Sequence, residues 1–206
     1  MEGLIKKQDK KMTNERLKKQ IDFIIEVDKL KNIIRRSYIT DSSRNENDAE
    51  HSWHIALMAV ILSEYSNFKN LDLLKVIKML LIHDIVEIDA GDVFLYDKEK
   101  QKTQFDNEKK AADRIFSKLP VDQKKEFHSL WLEFEERKTD ESKFARALDR
   151  LQPMLLNYYS KGKAWKEANI KSNTVLEANK IIEDGSTKLW DFAKELIEDA
   201  IGKKYL

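Results

Sequence analysis

The sequence predicts a single all-α domain. Glycine and proline are scarce, with five and two among 206 residues, and apolar residues recur at helical spacing. No stretch shows the alternation typical of a strand, and no repeat or low-complexity linker divides the chain. The length suffices for one domain with a sizeable buried core.

The predicted helices follow one another along most of the chain. The first begins near Thr13, because Thr13 or Asn14 can act as its N-cap. Residues 1–12 are highly charged and are expected to be disordered, which leaves 13–206 as the domain. The polar residues 38–48 are predicted to form a loop. Further helices are predicted at about 49–65, 71–86, 105–118, 121–137, 141–160, 165–184 and 187–201.

Composition narrows the possible chemistry and partners. The chain has no cysteine, so any metal must be held by imidazole and carboxylate groups. The formal net charge of +1 gives no general reason to expect a nucleic-acid polymer or a membrane as partner. No apolar run approaches the roughly 18 residues of a membrane span, and the N-terminus lacks the apolar segment of a signal peptide. A cytoplasmic protein is expected.

The residue pair His83-Asp84 lies in the segment LLIHDIVEIDAGD, the most apolar helix of the chain. Burying an imidazole and a carboxylate costs free energy unless a partner compensates. A divalent metal would meet that need, since both groups are good metal ligands. Taken alone, such a pair is more often a hydrogen-bonding pair at a helix end than a metal site.

Three further residues strengthen the metal interpretation. His51 lies near the start of the preceding predicted helix, and Glu87 follows His83-Asp84 by one helical turn. Asp149 interrupts the apolar stripe of FARALDRLQPM, where an unpaired carboxylate would be costly. Three separate helices therefore contribute candidate ligands.

This ordered set resembles the HD superfamily of metal-dependent phosphohydrolases. His51 precedes His83 by 32 residues, and Asp84 precedes Asp149 by 65. The local segments around these residues are similar to the small, single-domain branch that includes bacterial 5'-deoxynucleotidases and HD domain-containing hydrolases. The resemblance spans about residues 15–195. It implies a helical HD fold with the metal site at the centre of the bundle.

The resemblance also implies the metal centre. His51, His83, Asp84 and Asp149 would ligate one divalent ion, which could be Mn, Co, Mg, Fe, Ni or Zn. Relatives with two metals carry additional histidines before the last aspartate, whereas this chain has only His128 there, on a charged helix. A mononuclear centre is therefore expected. His54, one turn from His51, is interpreted as a supporting or packing residue.

Two carboxylates are candidates for proton transfer. Glu87 could orient or deprotonate the attacking water. The family pattern gives Asp92 a role in activating the water or in protonating the leaving group, although a Gly-Asp pair is also common in simple turns. Glu133 and Glu135 lie where relatives have an acidic residue near the pocket, and the sequence does not decide between them.

The resemblance assigns the substrate phosphate to arginine side chains. Arg35 and Arg36 are predicted to end the first helix, and Arg44 lies in the loop before His51. Each is otherwise typical of a solvated surface charge, but Arg36 matches the phosphate-contacting arginine of the family. The deoxynucleotidases carry tryptophan after this arginine, but this chain has Ser37. Strict selectivity for 2'-deoxy substrates is therefore not expected.

The function expected from these residues is release of phosphate from a small phosphomonoester, above all a nucleoside 5'-monophosphate. The alternatives are hydrolysis of an alarmone or a cyclic nucleotide, and a non-catalytic nucleotide-binding dimer. A homodimer is expected from the relatives. The apolar end of the Asp149 helix, with Tyr158 and Tyr159, is a candidate interface. The four tryptophans are interpreted as core or interface residues.

Overall fold

The computed structural model describes residues 2–206, with side chains from residue 14 onward. Helices account for most of it, so the predicted all-α, single-domain fold is confirmed. The α-helices are α1 Glu2–Val27, α2 Asp48–Leu62, α3 Leu73–Ile82, α4 Glu87–Ala90, α5 Lys98–Phe116, α6 Val121–Glu136, α7 Asp140–Tyr159, α8 Lys163–Glu167, α9 Ser172–Asn179, α10 Ile182–Gly185 and α11 Thr187–Gly202. Short 3₁₀ helices cover Asp28–Asn32, Ser63–Tyr65 and His83–Val86.

Helix α7 is the central element of the bundle. It packs against α2, α3, α6, α10 and α11, and Phe144, Ala145 and Leu148 on it are fully buried. Its first turn is fixed by a capping box between Thr139 and Ser142. Helix α10 approaches closely at Gly185, where a Cβ atom would collide with the backbone carbonyl of Lys143.

A small antiparallel hairpin replaces part of the predicted loop. Strands β1 Ile34–Tyr38 and β2 Asn45–Asn47 pair with Ile34 opposite Asn47 and Tyr38 opposite Asn45. The prediction of a loop over residues 38–48 is therefore wrong where the strands form, at residue 38 and at residues 45–47. The prediction that the chain has no strands is also wrong. The turn between the two strands has no sequence typical of a hairpin. In this turn the Asp41 side chain accepts a hydrogen bond from the Ser43 amide, and Ser42 adopts a left-handed conformation.

Two predicted helices have different bounds. Helix α5 begins at Lys98 rather than near 105, because the Asp97 side chain accepts a hydrogen bond from the Lys100 amide. The helix predicted over 165–184 is divided into α8, α9 and α10. Asn169 lies between the first two with a φ of 52°, a left-handed conformation that interrupts a helix.

The N-terminal prediction stays open. Helix α1 extends from Glu2, but the side chains of residues 1–13 lie outside the described part, so disorder of 1–12 and a domain over 13–206 remain predictions. Among the described residues, none of the helices has the length and hydropathy required to span a bilayer.

Candidate metal centre

His51 is held in place by the start of α2. Asn47 and Glu50 form a capping box, in which the Asn47 side chain accepts from the Glu50 amide and the Glu50 carboxylate accepts from the Asn47 amide. His51 follows directly and is fully buried. The local capping box thus positions His51, whose partners in the site are distant in the sequence.

His83 and Asp84 lie where helical geometry changes. Helix α3 ends at Ile82, and the chain continues as the 3₁₀ helix His83–Val86. His83 Nδ1 lies 2.9 Å from the Leu80 carbonyl oxygen, which can only accept a hydrogen bond. This contact places the proton on Nδ1 and leaves Nε2 of His83 free to act as a ligand.

The four predicted ligands meet at one buried point. His51 Nε2 lies 3.1 Å from Asp149 Oδ1 and 3.8 Å from Asp84 Oδ2. His83 Nε2 lies 2.9 Å from Asp84 Oδ1 and 3.6 Å from Asp149 Oδ1. All four residues are at least nine-tenths buried. Helices α2 and α7 and the 3₁₀ helix between α3 and α4 therefore converge on a compact set of two imidazoles and two carboxylates.

The hydrogen bonds around this set match the requirements of a cation. Gln152 Nε2 donates to Glu46 Oε1 over 2.6 Å, so Gln152 Oε1 faces His51 Nδ1 at 2.9 Å and accepts a hydrogen bond from it. The Nε2 lone pairs of His51 and His83 then both face carboxylate oxygens. His83 Nε2 lies close to Asp84 Oδ1, but neither this oxygen nor any other acceptor among residues 14–206 meets it with hydrogen-bond geometry. Lone pairs directed at carboxylates need a positive ion between them, and this donor set suits a divalent metal.

Arg35 joins a further group of carboxylates to this set. Its Nη1 atom lies 3.0 Å from Asp48 Oδ1, 2.9 Å from Asp84 Oδ2 and 4.0 Å from Asp92 Oδ1. Asp48, Asp84 and Glu87 also offer oxygen atoms within 4.8 Å of one another. One guanidinium therefore balances several buried negative charges.

The close packing of these charged groups shifts the pKa values of several of them. Burial raises the pKa of Glu87 well above its ordinary value, and the charges of Asp84 and Asp48 act in the same direction. Burial also raises the pKa of Asp92, against the attraction of Arg35. Burial alone would lower the pKa of His83, but the neighbouring carboxylates of Asp84 and Asp149 outweigh it and raise this pKa to about 10. Without a metal, a proton on His83 Nε2 would therefore take the place of the cation, and metal binding would displace that proton. The cluster as a whole favours positive charge at its centre.

A cavity of about 380 Å³ opens onto the cluster. This volume falls in the range of small-molecule sites. Its lining includes three of the predicted ligands, His83, Asp84 and Asp149, and both predicted proton-transfer residues, Glu87 and Asp92. His51 completes the cluster as a fully buried residue.

The two predicted substrate-binding arginines lie in different places. Arg36 is on β1 and lines the cavity as an exposed residue. Arg44 binds both oxygens of Glu50, at 2.8 and 2.7 Å, and does not occur among the described residues that line the cavity. The structure thus brings Arg36 to the site and directs Arg44 toward the cap of α2.

The structure also locates the other acidic residues, histidines and tryptophans that were considered from the sequence. Glu135 lines the cavity and accepts from Arg146 at 2.8 Å, whereas Glu133 binds Lys75 and Thr139. His54 contacts Gln152 at 3.1 Å, which makes it a supporting residue, and His128 lies 3.3 Å from Asp113. Three tryptophans are buried, namely Trp131, Trp165 and Trp190, whereas Trp53 is 63% exposed.

Several residues of the site were not predicted from the sequence. Arg35 was assigned to a helix end together with Arg36, but β1 directs the two side chains to different environments. Gln152 is fully buried one turn after Asp149, and its polarity within an apolar stripe was an available signal. Glu46 and Asp48 lay in the segment predicted to be a loop, where nothing in the sequence marked them as buried.

The fold and the buried histidine–aspartate cluster define the class of protein. The chain belongs to the HD domain family, whose match covers residues 27–190. A crystal structure described as a predicted metal-dependent phosphohydrolase, from Magnetospirillum magnetotacticum MS-1, is 47% identical to this chain. It covers 93% of this chain and 96% of its own, with a TM-score of 0.89.

Curated relatives include two proteins named 5'-deoxynucleotidase HDDC2. The human protein is 27% identical over 136 residues, which are 66% of this chain and 65% of the human chain. The Dictyostelium discoideum protein is 28% identical over 158 residues, or 74% of this chain and 83% of its own. The match thus spans just under two thirds of the human relative.

Proposed function

We propose that this protein is a metal-dependent phosphohydrolase that releases phosphate from a small phosphomonoester. The observation that carries this proposal is the convergence of His51, His83, Asp84 and Asp149 beside a cavity, with imidazole–carboxylate distances of 2.9 to 3.8 Å. The names of the relatives support the same reaction class.

The four converging residues would hold one divalent metal ion. Such an ion polarises a phosphoryl oxygen and lowers the pKa of a water molecule, which makes phosphate-ester hydrolysis accessible at neutral pH. Gln152 orients His51, and the Leu80 carbonyl orients His83, so that each imidazole presents Nε2. We propose that the centre is mononuclear. Asp48, Asp84 and Glu87 form a second compact group of oxygen donors, and an ion bound there would make the centre dinuclear instead.

We propose that Glu87 and Asp92 transfer protons in the reaction. Both carboxylates line the cavity beside Asp84, so they can reach a water or a leaving-group oxygen bound there. Glu87 is 6% exposed, and burial favours its protonated form. A carboxyl group of this kind suits proton donation to a leaving alkoxide, while the more accessible Asp92 suits proton acceptance.

The proposed substrate class is the nucleoside 5'-monophosphates. A cavity of about 380 Å³ suits a ligand of this size, and the curated relatives are named for such substrates. Arg36 is proposed to contact the phosphate at the cavity mouth. Ser37 is buried and also lines the cavity, and it offers no aromatic surface against a ribose. We therefore expect both ribo- and 2'-deoxyribonucleotides to be hydrolysed.

Metal removal and addition provide the test. The protein is stripped with chelator and supplied with Mn²⁺, Co²⁺ or Mg²⁺, and phosphate release is measured from a panel of ribo- and 2'-deoxynucleoside 5'-monophosphates. We expect no release without metal and release with at least one ion. Activity that survives chelation, or no activity with any ion, would contradict the proposal.

A pair of aspartate variants sharpens this test. Asp149→Ala removes a carboxylate from the cluster and should abolish both metal retention and phosphate release. Asp191→Ala removes an exposed carboxylate from α11 and should change neither. Unchanged metal content in Asp149→Ala would show that Asp149 is not a ligand.

We also propose that the protein forms a homodimer through the outer face of α2. Four large apolar residues on this face are 41–63% exposed, namely Trp53, Leu57, Val60 and Ile61. Their spacing of four, three and one residues places them on a single side of the helix. The interface expected near Tyr158 and Tyr159 has less support, because Met154 and Leu156 beside them are buried within the chain.

A further inference from the structure

One stripe of α7 forms a continuous wall of the cavity. Its members recur at intervals of three and one residues, as one face of a helix requires. They are Arg146, Asp149, Arg150, Pro153, Met154 and Asn157. Asp149 belongs to the candidate metal cluster, so the neighbouring Arg150 lies at the end of the cavity where the phosphate of a bound ester must be.

The other buried arginines of the cavity have protein acceptors. Arg35 Nη1 binds Asp48 and Asp84, at 3.0 and 2.9 Å. Arg146 binds Asp149 through Nη1 at 3.1 Å and Glu135 through Nη2 at 2.8 Å. Each of these guanidinium groups is held by carboxylates of the fold, which limits its freedom to turn toward a ligand.

Arg150 differs from them. Its side chain is only 20% exposed, yet none of its nitrogens donates a hydrogen bond to residues 14–206. Its nearest carboxylate oxygen is Asp149 Oδ2, 4.0 Å from Nε. The other oxygen of that carboxylate faces His51 and His83, where the metal would lie. With Asp149 engaged by a metal, Arg150 would keep no strong anionic partner within the protein.

A mostly buried guanidinium without an acceptor is costly unless a ligand supplies one. A phosphoryl group has oxygen acceptors in a geometry that matches the planar fork of arginine. Arg36 and Arg137 also line the cavity, but both are exposed and can be hydrated by solvent. Arg150 is therefore the cavity arginine with the greatest need for a bound anion.

We infer that Arg150 is a substrate-binding residue whose guanidinium donates hydrogen bonds to the phosphoryl oxygens of the bound ester. This inference rests on the proposed phosphohydrolase function. It adds a cationic contact on α7 to the one proposed for Arg36 on β1. The phosphate would then be held between a metal ion and Arg150, with the remainder of the ester extending along α7 toward Asn157.

Binding of inorganic phosphate tests this inference without requiring turnover. Isothermal titration calorimetry compares the Mn²⁺-loaded wild type with Arg150→Met, Arg150→Lys and the control Arg16→Met. Arg16 is exposed and paired with Asp122 outside the cavity. We expect phosphate affinity to fall roughly 10- to 100-fold in Arg150→Met, less in Arg150→Lys, and not in Arg16→Met. Metal content, measured in parallel, should stay at the wild-type level.

Affinity within about twofold of the wild type in Arg150→Met would overturn the inference, as would absence of phosphate binding to the metal-loaded wild type. If Arg150→Met loses its metal, Arg150→Gln and Arg150→Lys decide: weaker phosphate binding at full metal content supports the inference, and wild-type binding in both overturns it. Arg150-dependent phosphate binding without hydrolysis of any ester would refute the proposed function alone. Hydrolysis with Arg150-independent binding would refute this inference alone.

Discussion

Gln152 shows how one buried amide can determine the chemistry of a neighbouring histidine. Its Nε2 atom donates to Glu46, so its carbonyl oxygen must face His51 Nδ1. The imidazole is thereby restricted to the tautomer that presents a lone pair at Nε2. Gln152 thus prepares His51 to bind a metal, although Gln152 itself need not contact the metal or a substrate.

Replacement of Gln152 by leucine tests this role. Gln152→Leu keeps the approximate volume but removes the acceptor for His51 Nδ1, so the ligand tautomer is no longer enforced. We expect metal affinity to fall roughly 10- to 100-fold, measured by competition with a chromophoric chelator. The control Gln123→Leu removes a partly buried amide that bonds Gln20 instead. Equal metal affinity in Gln152→Leu and Gln123→Leu would show that His51 needs no such support.

At the scale of single residues, the sequence predicts the ligands better than their surroundings. A histidine or an aspartate in an apolar helical stripe stands out because its burial is costly. The choice between Arg35 and Arg36 could not be made in this way, because it depends on which side of β1 faces the carboxylates of Asp48 and Asp84. Arg150 was also missed, since an arginine beside an aspartate reads as an ordinary surface pair.

At the scale of elements, Glu26 connects α1 to α5. Its carboxylate accepts from Arg114 at 2.8 Å and Lys29 at 3.0 Å, and Lys118 lies 3.4 Å away. The hydrogen bond from Arg114, followed by that from Lys29, lowers the pKa of Glu26 from 4.5 to about 2. The folded state therefore binds a proton at Glu26 less readily than the unfolded chain does.

The pH dependence of stability follows from this shift. The contribution of Glu26 is complete above about pH 4.5 and is lost as the pH falls toward 2, because the unfolded chain takes up the proton first. We expect Glu26→Gln to be less stable than the wild type at pH 7 by roughly 1–3 kcal/mol, and the difference to close at the acid end. Urea unfolding over this range measures it. Glu177→Gln on α9 should show no such convergence, and a constant difference for Glu26→Gln would contradict the linkage.

The helices that could be predicted are those with strong local signals. Helices α6 and α7 begin and end within a residue or so of their predicted bounds, because Pro120 and the Thr139 capping box mark their starts. The hairpin of β1 and β2 was missed because it is held by backbone pairing across a turn, and it has no alternating apolar pattern. The division into α8, α9 and α10 depends on packing against α7 and α11, which periodicity alone does not reveal.

At the scale of the whole molecule, a monomer leaves the exposed apolar outer face of α2 without a packing partner. Isolated apolar residues are common on protein surfaces, but four on one helical face form a continuous patch. A stable dimer buries about 800 Å² per partner, so α2 would need neighbouring surface to complete an interface. His51 lies on the opposite, buried side of α2.

A charge placed in this patch tests the proposed dimer. We expect the wild type to elute as a dimer in size-exclusion chromatography with light scattering, and Val60→Glu to elute as a monomer. Val121→Glu, at an exposed position on α6, should remain dimeric. A monomeric wild type, or a dimeric Val60→Glu, would contradict an interface on α2. The cytoplasmic location expected from the sequence stays a separate prediction.

The central claim is that His51, His83, Asp84 and Asp149 together bind a divalent metal, and anomalous X-ray diffraction from Mn²⁺- or Co²⁺-loaded crystals tests it most directly. We predict a strong anomalous peak at about 2.0–2.3 Å from His51 Nε2, His83 Nε2 and a carboxylate oxygen of each aspartate. A second peak beside Asp48 and Glu87 would replace the mononuclear proposal with a dinuclear one. The absence of any peak between the two histidines, in crystals that bind the ion elsewhere, would contradict the account.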